Sequence, residues 1–164
     1  MIRLATQRDL PRIFDVYAAA RGLMAQSGNP TQWGDFYPPH DMLRADIPAK
    51  RLYVVERDGV IHAAFALVFG DDPSYGYIEG AWRRDDAYAT IHRLGSDGCG
   101  GIYAEVLAFC REKCGYLRAD THHDNHVMQH LLEKSGFCCS GIIYMCDDGT
   151  PRIAYEWYEG IQSS

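Results

Sequence analysis

The chain has 164 residues, of which 47% are hydrophobic and 23% charged, values that are ordinary for one globular domain with a buried core. Its formal net charge is -6, so it lacks the basic excess that is typical of general nucleic-acid binders, and it has no apolar run of about 20 residues to span a membrane. We therefore expect a single domain over residues 1–164, with no nucleic-acid partner and no membrane association.

A short strand and a helix open the chain. Residues 2–5 alternate between apolar and polar types, which predicts a strand. Thr6 or Asp9 then caps a helix that has Pro11 near its first turn, where a missing N–H costs little. The spacing of the helix predicts one buried face, made of Leu10, Ile13, Phe14, Tyr17 and Ala18.

The next predicted elements are a short helix and a pair of strands. Residues 31–39 are aromatic but irregular, and a helix is predicted over 40–49. Strands are predicted over 51–56 and 60–69, because the Arg-Asp-Gly segment between them is a strong signal for a tight hairpin turn.

From residue 88 onward, strands and helices alternate before a final strand pair. The predicted order is a strand over 88–94, a helix over 102–113, a strand over 117–121, a helix from Asp124 or Asn125 to Lys134, and strands over 137–144 and 153–157. Only some of the helices alternate with strands. We therefore predict the α/β class, with a central mixed twisted sheet of about seven strands and helices on both faces.

The six cysteines all lie in the C-terminal half of the chain: Cys99, Cys110, Cys114, Cys138, Cys139 and Cys146. The N-terminal residues show no basic segment followed by an apolar run, so we expect no signal peptide. A chain of this size also has core enough to fold without disulfides. We expect reduced thiols and a cytoplasmic location.

A glycine-rich turn joins the strand over 88–94 to the helix over 102–113. Gly98, Gly100 and Gly101 allow backbone N–H groups to approach an anion, and the start of a helix offers unpaired N–H groups and a partial positive charge. The segment is either a cradle for a pyrophosphate or simply a turn.

The chain beyond this turn resembles the GNAT superfamily of N-acetyltransferases. That family places an Asn at a strand-to-helix junction and ends the helix in Gly-Phe, as Asn125, Gly136 and Phe137 do here. The opening residues, the central strands, the glycine loop and the closing hairpin follow the same order, so the resemblance covers nearly the whole chain. It implies a GNAT-like acyltransferase fold, in a monomer or homodimer. The implied reaction transfers acetyl from acetyl-CoA to an amine of a small molecule or peptide, by direct attack in a ternary complex.

The resemblance also implies which residues hold acetyl-CoA. The backbone of residues 92–94 pairs with the pantetheine arm, the loop over 98–102 holds the pyrophosphate, and Asn125 lies beside the acyl carrier. The implied cofactor residues are thus Arg93, Leu94, Gly98, Cys99, Gly100, Gly101, Ile102 and Asn125. Two positions depart from the family pattern. Gly95 replaces a Gln or Arg, and Leu132 stands where many relatives carry the Tyr that protonates the departing thiolate.

Two residues are candidate catalytic bases. His92 lies on the strand beside the implied acyl site, and histidine changes charge near neutral pH. The alternative is that His92 has only a structural role in the sheet. Glu79 lies in a region that borders the substrate in the family. The alternative is that Glu79 is a solvated acid of a loop.

Trp33, Asp35 and Tyr37 correspond to the variable substrate wall of the family. Aromatic faces and a carboxylate favour a cation, and the alternative is a small hydrophobic cluster under a long loop.

Two other functions remain open at the level of sequence. His126 and His130 are four residues apart on one helix, as zinc-binding pairs are, but no third ligand is evident and we expect no metal. A GNAT fold that binds CoA without turning it over is the other alternative, because Leu132 has no proton to give.

Overall fold

The computed structural model describes residues 1–162, and the eight strands within that range belong to one mixed sheet. The strands are β1 Ile2–Leu4, β2 Leu52–Arg57, β3 Val60–Phe69, β4 Glu79–Gly80, β5 Ala89–Ser96, β6 Tyr116–Thr121, β7 Cys138–Tyr144 and β8 Pro151–Tyr158. Their order across the sheet is β1-β2-β3-β5-β6-β8-β7-β4. The predicted mixed sheet is confirmed, and the strand beyond the expected seven is the two-residue β4, which pairs with β7.

Four α-helices accompany the sheet: α1 Leu10–Gln26, α2 His40–Asp46, α3 Ile102–Lys113 and α4 His126–Lys134. Single 3₁₀ turns lie at Gln7–Asp9 and Pro73–Tyr75. The bounds of α3 agree with those predicted, whereas α2 ends three residues earlier than expected.

The helices pack on both faces of the sheet, as expected. In one cluster, α1 and α2 contribute Val16 and Leu43 against Val54 of β2. In the other, α3 and α4 contribute Val106 and Leu132 against the opposite face, where Val55 lies. Adjacent residues of one strand point to opposite faces, so Val54 and Val55 each anchor a different layer.

The buried face of α1 differs in part from the predicted one. The residues that the structure buries are Leu10, Ile13, Val16, Tyr17 and Ala20. Ala18 is exposed and Phe14 is half-buried. The buried stripe advances by three or four residues at a time from Leu10 to Ala20, and Ala18 falls on its solvent side.

The sheet opens between β5 and β6. These parallel strands pair at only two positions, Ala89 with Leu117 and Thr90 with Arg118. On its other side, β5 has a bulge against β3, where Arg93 adopts a φ of 55°. A bulge bends its strand and leaves a residue outside the ladder. Beyond Thr90 the two strands therefore diverge and leave a gap through the sheet.

None of the helices within residues 1–162 combines the length and apolar composition needed to cross a membrane. All six cysteines carry free thiols in the structure. Cys110 is fully buried, and this burial raises the pKa of its thiol to about 12.

Candidate active site

A cavity of about 540 Å³ occupies the gap between β5 and β6. What we call its apolar half lies on the side of α3 and α4 and is lined by Leu94, Ile102, Val106, Met128, Leu131 and Leu132. What we call its polar half is lined by Tyr37, His92, Asp120, Asp147 and Arg152. Strand alternation separates the halves, because Ala119 packs with the α3–α4 cluster while its neighbour Asp120 points to the other face.

The glycine loop forms one end of the apolar half. Gly98 and Gly101 adopt φ values of +94° and +77°, which favour glycine, and Gly101 is the N-cap of α3 without a capping side chain. The first N–H groups of α3 have no acceptor within the helix. Arg57 of β2 holds the loop, since its Nη1 donates to the Gly100 carbonyl at 2.8 Å and its Nη2 to Glu105 at 2.8 Å. This end of the cavity can receive an anion.

Gly95 has no room for a side chain. A methyl group placed on it would lie 2.8 Å from Cδ1 of Tyr17 and 3.2 Å from Cβ of Ala20. The packing of α1 against β5 thus excludes the Gln or Arg of the family pattern at this position. The nearest cation at the loop comes instead from Arg57, on β2.

Not all of the expected cofactor residues reach the cavity. Its lining includes Arg93, Leu94, Cys99, Gly101, Ile102 and Asn125 but not Gly98 or Gly100. The carbonyl of Arg93 accepts a hydrogen bond from the Tyr17 hydroxyl at 2.8 Å. The Arg93 guanidinium pairs with the buried Asp46 at 2.5 Å, so this side chain serves the packing between β5 and α2.

Asn125 links the two sides of the gap. Its Oδ1 accepts from the N–H of Met128 at 3.0 Å and so caps α4, while its Nδ2 donates to Oε1 of Gln32 at 3.0 Å. The same oxygen of Gln32 accepts from Nδ2 of Asn29 at 2.9 Å. Asn29 is only 2% exposed, and its Oδ1 has no partner among the described residues. This oxygen is buried without accessible surface, so it is an unsatisfied acceptor within the wall rather than a contact for a ligand.

His92 is held by a carboxylate. Its Nε2 lies 2.7 Å from Oδ2 of Asp72, which precedes the 3₁₀ turn after β3. Burial alone would raise the pKa of Asp72, but the hydrogen bonds from His92 and from the N–H of Ser74 bring it below its ordinary value. The imidazole is therefore oriented by a charged partner at the entrance to the gap.

Asp120 is a second half-buried acid near His92. It accepts a hydrogen bond from the Tyr75 hydroxyl at 2.7 Å. Burial raises the pKa of Asp120, and the nearby charges of His92 and Arg152 offset this only in part. Sequence reasoning missed both Asp72 and Asp120. Asp72 lies between the predicted strands over 60–69 and 88–94, where Asp-Pro-Ser is a capping signal for a helical turn.

The other candidate residues are divided between the cavity and the surface. Trp33 and Tyr37 line the cavity, with their ring centroids 6.0 Å apart. Asp35 is exposed and does not line it. Glu79 is also exposed and outside the lining, on β4, where it accepts a hydrogen bond from Tyr144 at 2.9 Å.

The suspected histidine pair for a metal is exposed on α4, at His126 and His130. Within residues 1–162, the side chains near enough to share an ion are His122, His123 and Asp124. Nδ1 of His122 already accepts the N–H of Asp124 at 3.1 Å, so this group closes a turn.

Comparison with known proteins gives matches at the level of structure. Neither a protein-family model nor a curated protein sequence matches the chain. An acetyltransferase of the GNAT family from Streptococcus agalactiae is 30% identical with a TM-score of 0.86, over 97% of this chain and 95% of its own. A GNAT-family acetyltransferase from Listeria monocytogenes is 17% identical with a TM-score of 0.71, over 96% and 94% of the two chains. A protein from Salmonella typhimurium, solved with acetyl-CoA as its cofactor, is 16% identical with a TM-score of 0.63, over 100% and 97%. The last two likenesses concern the fold alone.

Proposed function

From the premise that this chain belongs to the GNAT family of acetyltransferases, we propose that it is an N-acetyltransferase, which moves the acetyl group of acetyl-CoA to an amine. The observation that carries the proposal is the cavity through the split sheet, whose two halves differ in chemistry. One half is apolar and ends at a helix N-terminus, as a pantetheine arm and a pyrophosphate require. The other half holds an oriented histidine and a half-buried acid.

Two parts of the chain bind the acetyl donor, acetyl-CoA. The N–H groups of residues 97–99 are already hydrogen-bonded, so Gly100, Gly101 and the N-terminus of α3 offer the backbone N–H groups and the partial positive charge to the pyrophosphate. The apolar half, with Val106 and Met128, receives the pantetheine arm. When bound, acetyl-CoA supplies an activated thioester, so the protein needs only to position the acceptor and manage protons.

His92 removes the proton of the acceptor ammonium, and Asp72 keeps the imidazole in place and stabilises its charged form. The neutral amine then attacks the acetyl carbon. The new bond joins nitrogen to carbon, the bond from carbon to sulfur breaks, and the nitrogen gives up its second proton to solvent as the amide forms. Leu132 is 3% exposed and has no proton to give, so the thiolate takes its proton from another group of the cavity or from water. We place the base at His92 rather than at Glu79, because Glu79 lies outside the cavity.

Because Leu132 cannot donate a proton to the thiolate, one other function is favoured, that of a CoA-binding module without turnover. Steady-state release of CoA with a panel of primary amines separates the two. An acetyltransferase releases CoA and forms the N-acetyl product in equal amounts. A binding module is stabilised thermally by acetyl-CoA but releases CoA with none of the amines.

A further inference from the structure

Arg152 is a cation of the polar half, and its charge, after the hydrogen bonds from Thr150, helps to lower the pKa of the nearby Asp148. Its Nη1 donates to Oγ1 of Thr150 at 3.0 Å and to the carbonyl of Pro151 at 2.9 Å. Within residues 1–162, no hydrogen bond uses its Nε or Nη2, and it forms no ion pair with a carboxylate. Arg93, which also lines the cavity, is by contrast paired with Asp46. Arg152 is half-buried against the cavity and has donors to spare.

Arg152 projects toward the same face of the sheet as Asp120. In the antiparallel pairing of β6 with β8, Asp120 lies opposite Ala154, and Arg152 is two residues before Ala154. Such diagonal neighbours are about 7–8 Å apart, within reach of long side chains. Arg152 is also near enough to oppose the rise that burial causes in the pKa of Asp120. A ligand in the polar half therefore meets a cation and a half-buried acid on one face of the sheet.

This pair of charges fits a ligand that carries both signs. A guanidinium has a planar fork of donors that matches a carboxylate, and a half-buried site strengthens the contact. The carboxylate of Asp120 and the imidazole of His92 suit an ammonium. Because the two side chains lie on one face of the sheet and line one cavity, a single small ligand that carries an ammonium and a carboxylate suits them both.

We propose that the acceptor is an amino acid or a close analogue, with its carboxylate bound by Arg152 and its amine held between His92 and Asp120. This inference rests on the proposed acetyl transfer and names its substrate class. A polyamine would place an additional cation against Arg152, and a peptide N-terminus would offer it an uncharged amide.

The test compares matched acceptors. Each of the natural L-amino acids is assayed beside its primary amide and, where it exists, its decarboxylated amine, as phenylalanine beside phenethylamine. We expect kcat/KM to favour the best amino acid over its own amide and amine by about 10²-fold or more, because a site built for a polar group rejects the analogue that lacks it. Arg152→Gln should remove this preference, mainly by raising KM for the amino acid. Arg152→Lys should restore part of it.

Two controls accompany this test. Arg152→Gln should keep the thermal shift given by acetyl-CoA, which shows that the variant folds and binds the donor. Arg8→Gln, at an exposed arginine outside the cavity, should leave the preference unchanged.

The outcomes distinguish this inference from the function on which it rests. Equal turnover of amino acids and of their amides or amines would overturn the inference and leave acetyl transfer standing. An intact thermal shift with turnover of neither series would also overturn it and would favour the binding module. The loss of both the shift and turnover in the unmodified protein would contradict the proposed function itself.

Discussion

At the scale of single residues, the pair of His92 and Asp72 is central to the proposed reaction. We expect His92→Gln to keep the thermal shift given by acetyl-CoA while lowering kcat by about 10²-fold or more, because the amine loses its proton acceptor. Rates should be measured from pH 6 to pH 9, where the acidic limb of the profile should disappear in the variant.

Glu79→Gln is the matched comparison, since Glu79 lies outside the cavity. A loss confined to KM would mark Glu79 as a binding group. If His92→Gln turns over normally and Glu79→Gln is inactive, the assignment of the base is reversed.

A second residue-scale feature is the pair of Arg3 and Asp9, which ties β1 to the start of α1. The guanidinium of Arg3 donates to both oxygens of Asp9, at 2.8 and 3.0 Å. These hydrogen bonds lower the pKa of Asp9 from 3.8 to about 2, even though burial opposes the shift. A folded-state pKa below the unfolded one gives stability that is present above about pH 4 and lost as the pH falls toward 2.

Asp9→Asn should therefore lower the free energy of unfolding at pH 7 by about 1 kcal/mol, a modest figure because the pair is partly solvated. The difference from the unmodified protein should shrink as the pH falls from about 4 toward 2. Denaturant unfolding at several pH values measures this, with Asp85→Asn, at an exposed aspartate, as the control. A difference that stays constant with pH would show that Asp9 stabilises the protein by some means other than its charge.

At the scale of elements, the loop over 97–101 and the start of α3 form the proposed pyrophosphate site. Gly100 has open space where a side chain would begin, so Gly100→Asp adds a negative charge without a clash. It should abolish the thermal stabilisation by acetyl-CoA, which for a ligand at about 100 times its Kd corresponds to about 2.7 kcal/mol.

Gly115→Asp is the matched control, because Gly115 is also unobstructed but follows α3 at its other end. It should leave the stabilisation intact. An unchanged shift in Gly100→Asp would place the pyrophosphate elsewhere.

Elements with strong periodicity were predictable from the sequence, and those fixed by tertiary contacts were not. The apolar spacing of α3 and the Asn125 cap of α4 gave the right elements, because both signals are local. β4 has two residues and exists only because β7 lies beside it. The sequence also placed His92 at the gap, but Asp72 and Asp120 reach it through a loop and a strand register that no local pattern encodes.

At the scale of the whole molecule, the reactivity of the thiols distinguishes the folded protein from the unfolded one. All six cysteines are free in the structure, and four of them are buried or half-buried. We expect six reactive thiols on unfolding without reductant and fewer in the folded protein, because burial raises the pKa of Cys110 and limits access to it. Thiol titration with and without denaturant measures both. Fewer than six after unfolding, with a paired loss of mass, would contradict the expectation of reduced thiols.

The two halves of the cavity share β5 and β6 but take their remaining walls from separate stretches of chain, and this makes the protein modular. The donor side depends on the glycine loop, α3 and α4, whereas the acceptor side takes its wall from residues 29–37 and 145–152. The two sides meet at the hydrogen bond from Asn125 to Gln32. Grafting the two acceptor stretches onto another scaffold of this fold, with Gln32 kept, should transfer the choice of amine and leave the donor chemistry as it was. A lineage can thus diverge in what it acetylates while inheriting one unchanged way of delivering the acetyl group.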